Sequence, residues 1–290
     1  MTHVLTLIAN RAAGPLSPGL VTAMRDAVGG TLDVLSPGEA VDIACAAAPD
    51  PADMAAIIGT AAVDAIVTAA AGRRKRLLIS DMDSTIVISE TLDELAAHAG
   101  LRERVAAITA RSMNGEIDFA TALRERVAML RGLGVPALAA TWQRTRIMPG
   151  AAELVATMRA HGAATALVSG GFSYFTGRVA AQLGFHLHRA NTLLDDGDTL
   201  LGTVGEPILD GGAKLATLRE MAALHGLDLS ETLAVGDGAN DLAMIEAAGL
   251  GVAYHAKPVV AARARAQVRH ADLRALLFAQ GYPATAFVTG

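Results

Sequence analysis

The stretch Leu77–Glu90, LLISDMDSTIVISE, constrains the fold more than any other part of the chain. Leu77–Ser80 has the length and composition of a strand buried in a parallel sheet. Asp81 and Asp83 follow where that strand should stop. Residues two apart in extended chain point the same way, so both carboxylates can face one cavity. Ligands of open α/β sheets bind at the carboxyl ends of strands. Neighbouring carboxylates repel and need a cation, a shared proton or abundant water. A solvated acidic turn satisfies the same spacing, so the rest of the chain has to decide.

Before this stretch, Val4–Ile8 reads as a strand and Ser17–Val28 as a helix with Ser17 as N-cap, Pro18 in the first turn and Gly29-Gly30 as the stop. Thr31–Leu35 and Ala40–Ala46 read as strands, Asp53–Thr60 as a helix and Ala65–Ala69 as a strand. This β-α-β-β-α-β order predicts a small ferredoxin-like α+β unit over residues 1–71. Gly72–Arg76 reads as a short basic linker, opening a second domain over 72–290. After Asp83 the pattern turns helical, with a stripe of Leu92, Leu95, Ala96 and Ala99. Residues 91–146 are long for a strand-to-helix connection and fit an inserted helical cap. Beyond it, strands expected at Ala164–Ser169, Leu233–Val235, Gly251–Tyr254 and Gln267–Arg269 alternate with helices at Ala151–His161, Tyr174–Leu183, Ala213–His225, Asp241–Ala248, Lys257–Ala266 and Asp272–Gln280. The alternation predicts an α/β, Rossmann-like parallel sheet. The Asp195–Gly197 turn predicts a hairpin of Ala190–Leu194 with Thr199–Thr203.

Composition excludes several classes. A length of 290 residues allows about two domains. Mean hydropathy is +0.38, raised by alanine. No run reaches the ~18 apolar residues of a spanning helix, and no basic leader precedes the N-terminal apolar run. No membrane association is expected, and the cytoplasm is the expected location. Net charge is −5 without a basic block, which argues against nucleic acid. Cys45 is the single cysteine, sits in an apolar run and reads as packing.

Three later stretches carry chemistry. Ser169-Gly170-Gly171 at a strand end offers a hydroxyl and backbone N–H groups to phosphate oxygens. Lys214 begins a helix, where its charge opposes the helix dipole, so an anionic partner is expected. Gly236–Asp241 gathers hard oxygen ligands at a strand end, which suits Mg2+. Its Gly-x-Gly is not a dinucleotide fingerprint, because Asp241 stands at the third glycine. None of His98, His161, His225, His255 and His270 forms a ligand pair at metal spacing, and no serine-hydrolase elbow occurs. An aspartate is ionised near neutrality and can attack a phosphoryl group without a base.

Asp-Met-Asp-Ser-Thr after an apolar strand resembles the first motif of the haloacid-dehalogenase-like phosphatases. The three later stretches resemble their other motifs, in order, and the likeness over residues 76–282 is to the phosphoserine phosphatases within that superfamily. The resemblance implies that Asp81 is nucleophile and magnesium ligand. It implies that Asp83 is the general acid and offers its backbone carbonyl to the metal, and that Asp237 is a metal ligand. Ser169, Gly170, Lys214 and Asn240 would bind the transferred phosphate, with Asp241 supporting the metal and Lys214. Glu90 and Arg126 would bind the ammonium and carboxylate of O-phospho-L-serine, and Met113 and Phe119 would make apolar cap contacts. The N-terminal unit would resemble an ACT domain. The implied reaction is Mg2+-dependent hydrolysis to L-serine, the last step of its biosynthesis, through an aspartyl-phosphate. Transfer to another hydroxy amino acid, another small phosphomonoester, and a regulatory binding protein with a vestigial core all stay open, as does a homodimer.

Overall fold

The computed structural model describes residues 2–113 and 116–289, with Met113 described by its backbone alone. Two sheets organise the chain. The first is antiparallel, built from β1 (His3–Ala9), β2 (Thr31–Ser36), β3 (Ala40–Cys45) and β4 (Val63–Ala69) in the order β2-β3-β1-β4. Helices α1 (Pro18–Val28) and α2 (Pro51–Ile58) complete the expected β-α-β-β-α-β order. Ser17 accepts the Leu20 N–H at the start of α1, and Gly29 ends it at φ +64°, a left-handed turn suited to glycine. Leu5, Leu7, Met24 and Ile43 fill the space between sheet and helices.

The second sheet is parallel, in the order β12-β11-β10-β5-β6-β7. Its central strand is β5 (Leu77–Ser80), buried along its whole length. Between β5 and the return of the chain to the core come α3 (Thr91–Ala97), α4 (Arg102–Met113), α5 (Phe119–Ala128) and α6 (Pro136–Arg144). The chain leaves β5 and returns to the core side by side: Val87 bridges Ile147, the Met148 N–H donates to the Ile86 carbonyl, and the Ile88 N–H donates to the Arg146 carbonyl. Then follow α7 (Ala151–Ala160), β6 (Ala164–Phe172), α8 (Ser173–Leu183), β7 (Leu187–Asn191), a hairpin of β8 (Leu193–Asp195) and β9 (Leu200–Val204), α9 (Gly211–Leu224), β10 (Thr232–Gly236), α10 (Leu242–Ala247), β11 (Leu250–Tyr254), α11 (Pro258–Ala261), β12 (Ala266–Val268) and α12 (Ala275–Ala279). β5 lies between β6 and β10, so its carboxyl end opens on the crevice where strand order reverses.

Several expected boundaries move. Residues 190–194 are not one hairpin strand: Leu187–Asn191 is the sheet's sixth strand, and the hairpin begins at Leu193. As a half-exposed edge, β7 needs no apolar run and carries His188 and Arg189. β6 continues past Ser169 to Phe172, because its pairing with β7 resumes there after a bulge. The helix expected over Lys257–Ala266 is only Pro258–Ala261, and Ala266 belongs to β12, since alanine suits either element. The last helix is Ala275–Ala279, preceded by a turn in which Asp272 accepts the Arg274 N–H.

The hairpin braces the cap. The Gly132 N–H donates to the Leu200 carbonyl, the Leu200 N–H to that of Leu133, and the Val135 N–H to that of Asp198, each at 2.9 Å. Gly202 sits at φ +70°, where a Cβ would lie 2.7 Å from Arg131 Cβ. The N-terminal sheet meets the parallel sheet edge to edge. The buried Asp64 carboxylate on β4 accepts the N–H groups of Arg269, His270 and Ala271 just beyond β12, at 2.8, 3.1 and 2.8 Å. Arg73, in the linking segment, pairs with Asp42 at 2.6 Å and reaches the Phe278 carbonyl. Ile8, Leu35, Ala40 and Ile66 share an apolar cluster with Leu276 and Phe278. Among the described residues no helix is long and apolar enough to cross a membrane.

Candidate active site

Asp81 extends β5 by one step, its N–H donating to the Val235 carbonyl of β10 at 3.0 Å. The chain then turns through Met82, which is fully buried, and Ser84, at φ +55°. Asp83 accepts the Thr91 N–H and hydroxyl at 3.2 and 3.3 Å, and Ser84 donates its hydroxyl to Glu90 at 2.7 Å. The turn that ends the strand thereby also anchors the start of α3.

Lys214 is completely buried, with its Nζ 2.7 Å from Asp81 Oδ1 and 2.5 Å from Asp241 Oδ1. These carboxylates are the anionic partners that its place near a helix start called for. Asp210 caps that helix by accepting the Gly212 and Ala213 N–H groups. The second oxygen of Asp241 accepts the Gly238 N–H at 3.0 Å. Carboxylate oxygens of Asp81, Asp237 and Asp241 lie within 4.8 Å of one another. Asp241 has both oxygens engaged, which leaves Asp81 and Asp237 freer to face an ion.

A cavity of about 380 Å3 opens over this cluster. From the core it is lined by Asp81, Asp83, Ser169, Gly170, Asp237 and Asn240, and from the cap side by Glu90, Phe119 and Arg126. Lys214 and Asp241 lie behind the carboxylates as their support. The side chain of Met113 lies outside the described residues. The Phe119 ring rests on Gly170, where an added Cβ would come within 2.7 Å of it, so cap and core touch across the cavity. Arg126 is held by bonds to the Ala122 carbonyl and the Thr109 hydroxyl, both at 3.1 Å. Ser169 Oγ accepts the Gly171 N–H at 2.9 Å. Gly171 of the Ser-Gly-Gly stretch also lines the cavity, as do Thr109, Ser112 and Asp210, which were not singled out from the sequence. Asp210 carried a readable signal, an acidic residue before Gly-Gly and a helix; the hydroxyls of α4 carried none.

The electrostatics follow from burial and crowding. Burial, then the charge of Glu90, pushes Asp83 up to about 8 despite the Thr91 bonds. Burial, then Asp241 and Glu90, pushes Asp237 up to about 7. Asp81 also rises, because burial and the charges of Asp241 and Asp237 outweigh Lys214. Burial works against the Lys214 charge, but Asp241 and Asp81 outweigh it and keep the ammonium protonated. One ammonium faces three buried carboxylates, an imbalance that a hard divalent cation would offset. The donor set fits such an ion.

A family model described as haloacid dehalogenase-like hydrolase matches residues 75–249. The chain is 43% identical over 218 residues to a phosphoserine phosphatase of Streptomyces coelicolor, covering 75% of this chain and 53% of that one. It is 45% identical over 188 residues to a phosphoserine phosphatase of Archaeoglobus fulgidus, covering 65% and 55%. The chain thus spans about half the length of these curated relatives. The crystal structure of a probable phosphoserine phosphatase from Vibrio cholerae superposes with a TM-score of 0.80 at 32% identity, over 98% of this chain and 88% of that one.

Proposed function

The chain belongs to the haloacid dehalogenase-like hydrolases, and on that footing we propose that it is a magnesium-dependent phosphoserine phosphatase of the cytoplasm, with O-phospho-L-serine as substrate. The observation that carries this reading is one cavity lined by two kinds of groups. At its floor are Asp81, Asp83 and Asp237, and on its cap side are a carboxylate, Glu90, and a guanidinium, Arg126. A phosphoserine has a phosphate for the first set and an ammonium and a carboxylate for the second.

In the proposed reaction an Asp81 oxygen attacks phosphorus as the bond to the serine oxygen breaks, giving an aspartyl-phosphate. Asp83, holding a proton beside Glu90 in the buried turn, gives it to the leaving serine oxygen. Asp83 then takes a proton from water, which attacks phosphorus and frees phosphate and Asp81. The Ser169 hydroxyl and Asn240 hold the phosphoryl oxygens, while Lys214 holds the attacking Asp81 from behind. Mg2+ held by Asp81, Asp237 and the Asp83 carbonyl would offset the repulsion between phosphate and carboxylate.

Arg126→Ala tests the substrate. Removing one partner of a desolvated charge pair costs about 2–5 kcal/mol, or roughly 30-fold to several thousand-fold. The expected result is a loss of that size in kcat/KM for O-phospho-L-serine, and a much smaller loss for p-nitrophenyl phosphate, which has no carboxylate. Equal losses on both would refute the substrate assignment. Absence of phosphate release from both by the unaltered chain with Mg2+ would refute the phosphatase.

A further inference from the structure

Asn191 ends β7 with its side chain only 3% exposed. The strands around it explain its position. β6 and β7 are paired at Val168 with Arg189 and again at Phe172 with Asn191, so Ser169–Gly171 bulge out opposite Ala190 alone. The bulge brings Ser169 and Gly170 to the cavity but takes their peptide groups off the ladder. Asn191 Nδ2 donates to the Gly170 carbonyl at 2.9 Å and to the Leu209 carbonyl at 3.1 Å, and its Oδ1 accepts the Leu209 N–H at 2.7 Å. Leu209 immediately precedes Asp210, the cap of the helix that carries Lys214. One buried amide therefore joins the bulge to the start of α9.

The peptide between Gly170 and Gly171 is held at both ends. In a trans peptide the carbonyl and the N–H point in opposite directions. Here the carbonyl is taken by Asn191 and the N–H by Ser169 Oγ. Since Ser169 Oγ accepts that N–H, its own proton stays available for an acceptor in the cavity. Glycines flank the peptide, so it can turn over at little steric cost. A flip would withdraw the N–H from Ser169 and put a carbonyl oxygen in its place, facing the anion.

We propose that Asn191 is a positioning residue for the phosphate cradle, locking the 170–171 peptide against a flip and fixing the bulge relative to the Lys214 helix. The inference rests on the phosphomonoesterase reading above.

The test uses the full chain with Mg2+, and inorganic phosphate as the probe. Asn191→Ala removes the three bonds. Asn191→Asp keeps the shape but sets an oxygen against two carbonyls, and Asn191→Ser keeps one donor in a smaller side chain. Each is assayed below its own thermal transition. The expected result in the folded variants is an inhibition constant for phosphate raised about 10- to 100-fold, as for loss of one or two buried hydrogen bonds. kcat/KM should fall by a similar factor on O-phospho-L-serine and on p-nitrophenyl phosphate, leaving their ratio unchanged. An unchanged inhibition constant in folded Asn191→Ala overturns the proposal. So does a loss confined to phosphoserine, which would place Asn191 among groups reading the amino-acid end. Failure of all three variants to fold overturns it too, since the residue would then serve stability alone. Phosphate bound more weakly by Asn191→Ala, in a chain whose unaltered form hydrolyses neither ester, would refute the phosphatase and leave the latch standing.

Discussion

The side chains of Asp81, Asp83 and Asp237 at the floor of the cavity work against the stability of the fold they sit in. Asp237 is 6% exposed and its proton is held up to about 7, against 3.8 ordinarily. At pH 8 without metal it must be ionised in a place that disfavours the charge. Asp237→Asn removes that cost, so the metal-free variant should be more stable than the unaltered chain by roughly 1–4 kcal/mol at pH 8. Urea unfolding in EDTA measures this, and a less stable variant would contradict it. The same variant should lose the stabilisation by Mg2+. Lys214 is the opposite case. Lys214→Met leaves Asp81 and Asp241 without their cation, and breaking a buried pair costs about 3–5 kcal/mol. A loss below 1 kcal/mol in the same unfolding experiment would mean that the pair contributes little. At this scale the sequence was uneven. Asp81, Asp83 and Lys214 stood out by their spacing and by a charge at the unfavourable end of a helix. Asn191 and Thr109 are single polar residues whose importance comes from what the fold sets opposite them, and no local pattern announces that.

Among the elements, buried strands were the most legible, because β5 and β10 are apolar runs bounded by acidic and glycine turns. The edge strand β7 and the alanine-rich segment after β11 were not, since exposure on one side or a surfeit of alanine removes the periodic signal. The β8–β9 hairpin was marked by its turn, but nothing local showed that it would seat against the cap. Gly202 is the test of that seat. Gly202→Val places a branched side chain at φ +70° and against Arg131 and the Ala128 carbonyl. The expected outcome is a lower melting temperature together with faster proteolytic cleavage around residues 130–135. Unchanged cleavage with a lowered melting temperature would show that the cap holds without the brace.

For the molecule as a whole, the pH dependence of stability follows from the raised acids. Asp83 and Asp237 bind protons more tightly in the folded chain than in the unfolded one, so folding takes up protons between the ordinary carboxylate value of 3.8 and about 7 to 8. Stability of the metal-free protein should therefore fall as pH rises across that window and level off above it. Melting temperatures in EDTA from pH 5 to 9 check this, with a larger rise on adding Mg2+ at pH 8 than at pH 5; a flat or rising profile would contradict it. The N-terminal sheet bears on stability differently. Its Ile8, Leu35, Ala40 and Ile66 share one cluster with Leu276 and Phe278, and Asp64 and Arg73 add polar ties. A fragment starting at Gly72 should therefore bind an apolar dye and unfold at lower urea than the full chain, although every residue proposed for chemistry lies beyond residue 80.

The cap leaves and rejoins the core through adjoining backbone, with Val87 bridging Ile147 and Met148 hydrogen-bonded to Ile86. Whatever length of chain lies between those points begins and ends at one spot, so the sheet does not register its size. Insertions, deletions and exchange of the segment between residues 92 and 145, beyond the contacts of Glu90 and Thr91 with Ser84 and Asp83, are thereby uncoupled from the strand that carries Asp81. In evolutionary terms the molecule can change what it selects without renegotiating how it reacts, and a library of transplanted caps on this one core is the direct way to exploit that freedom.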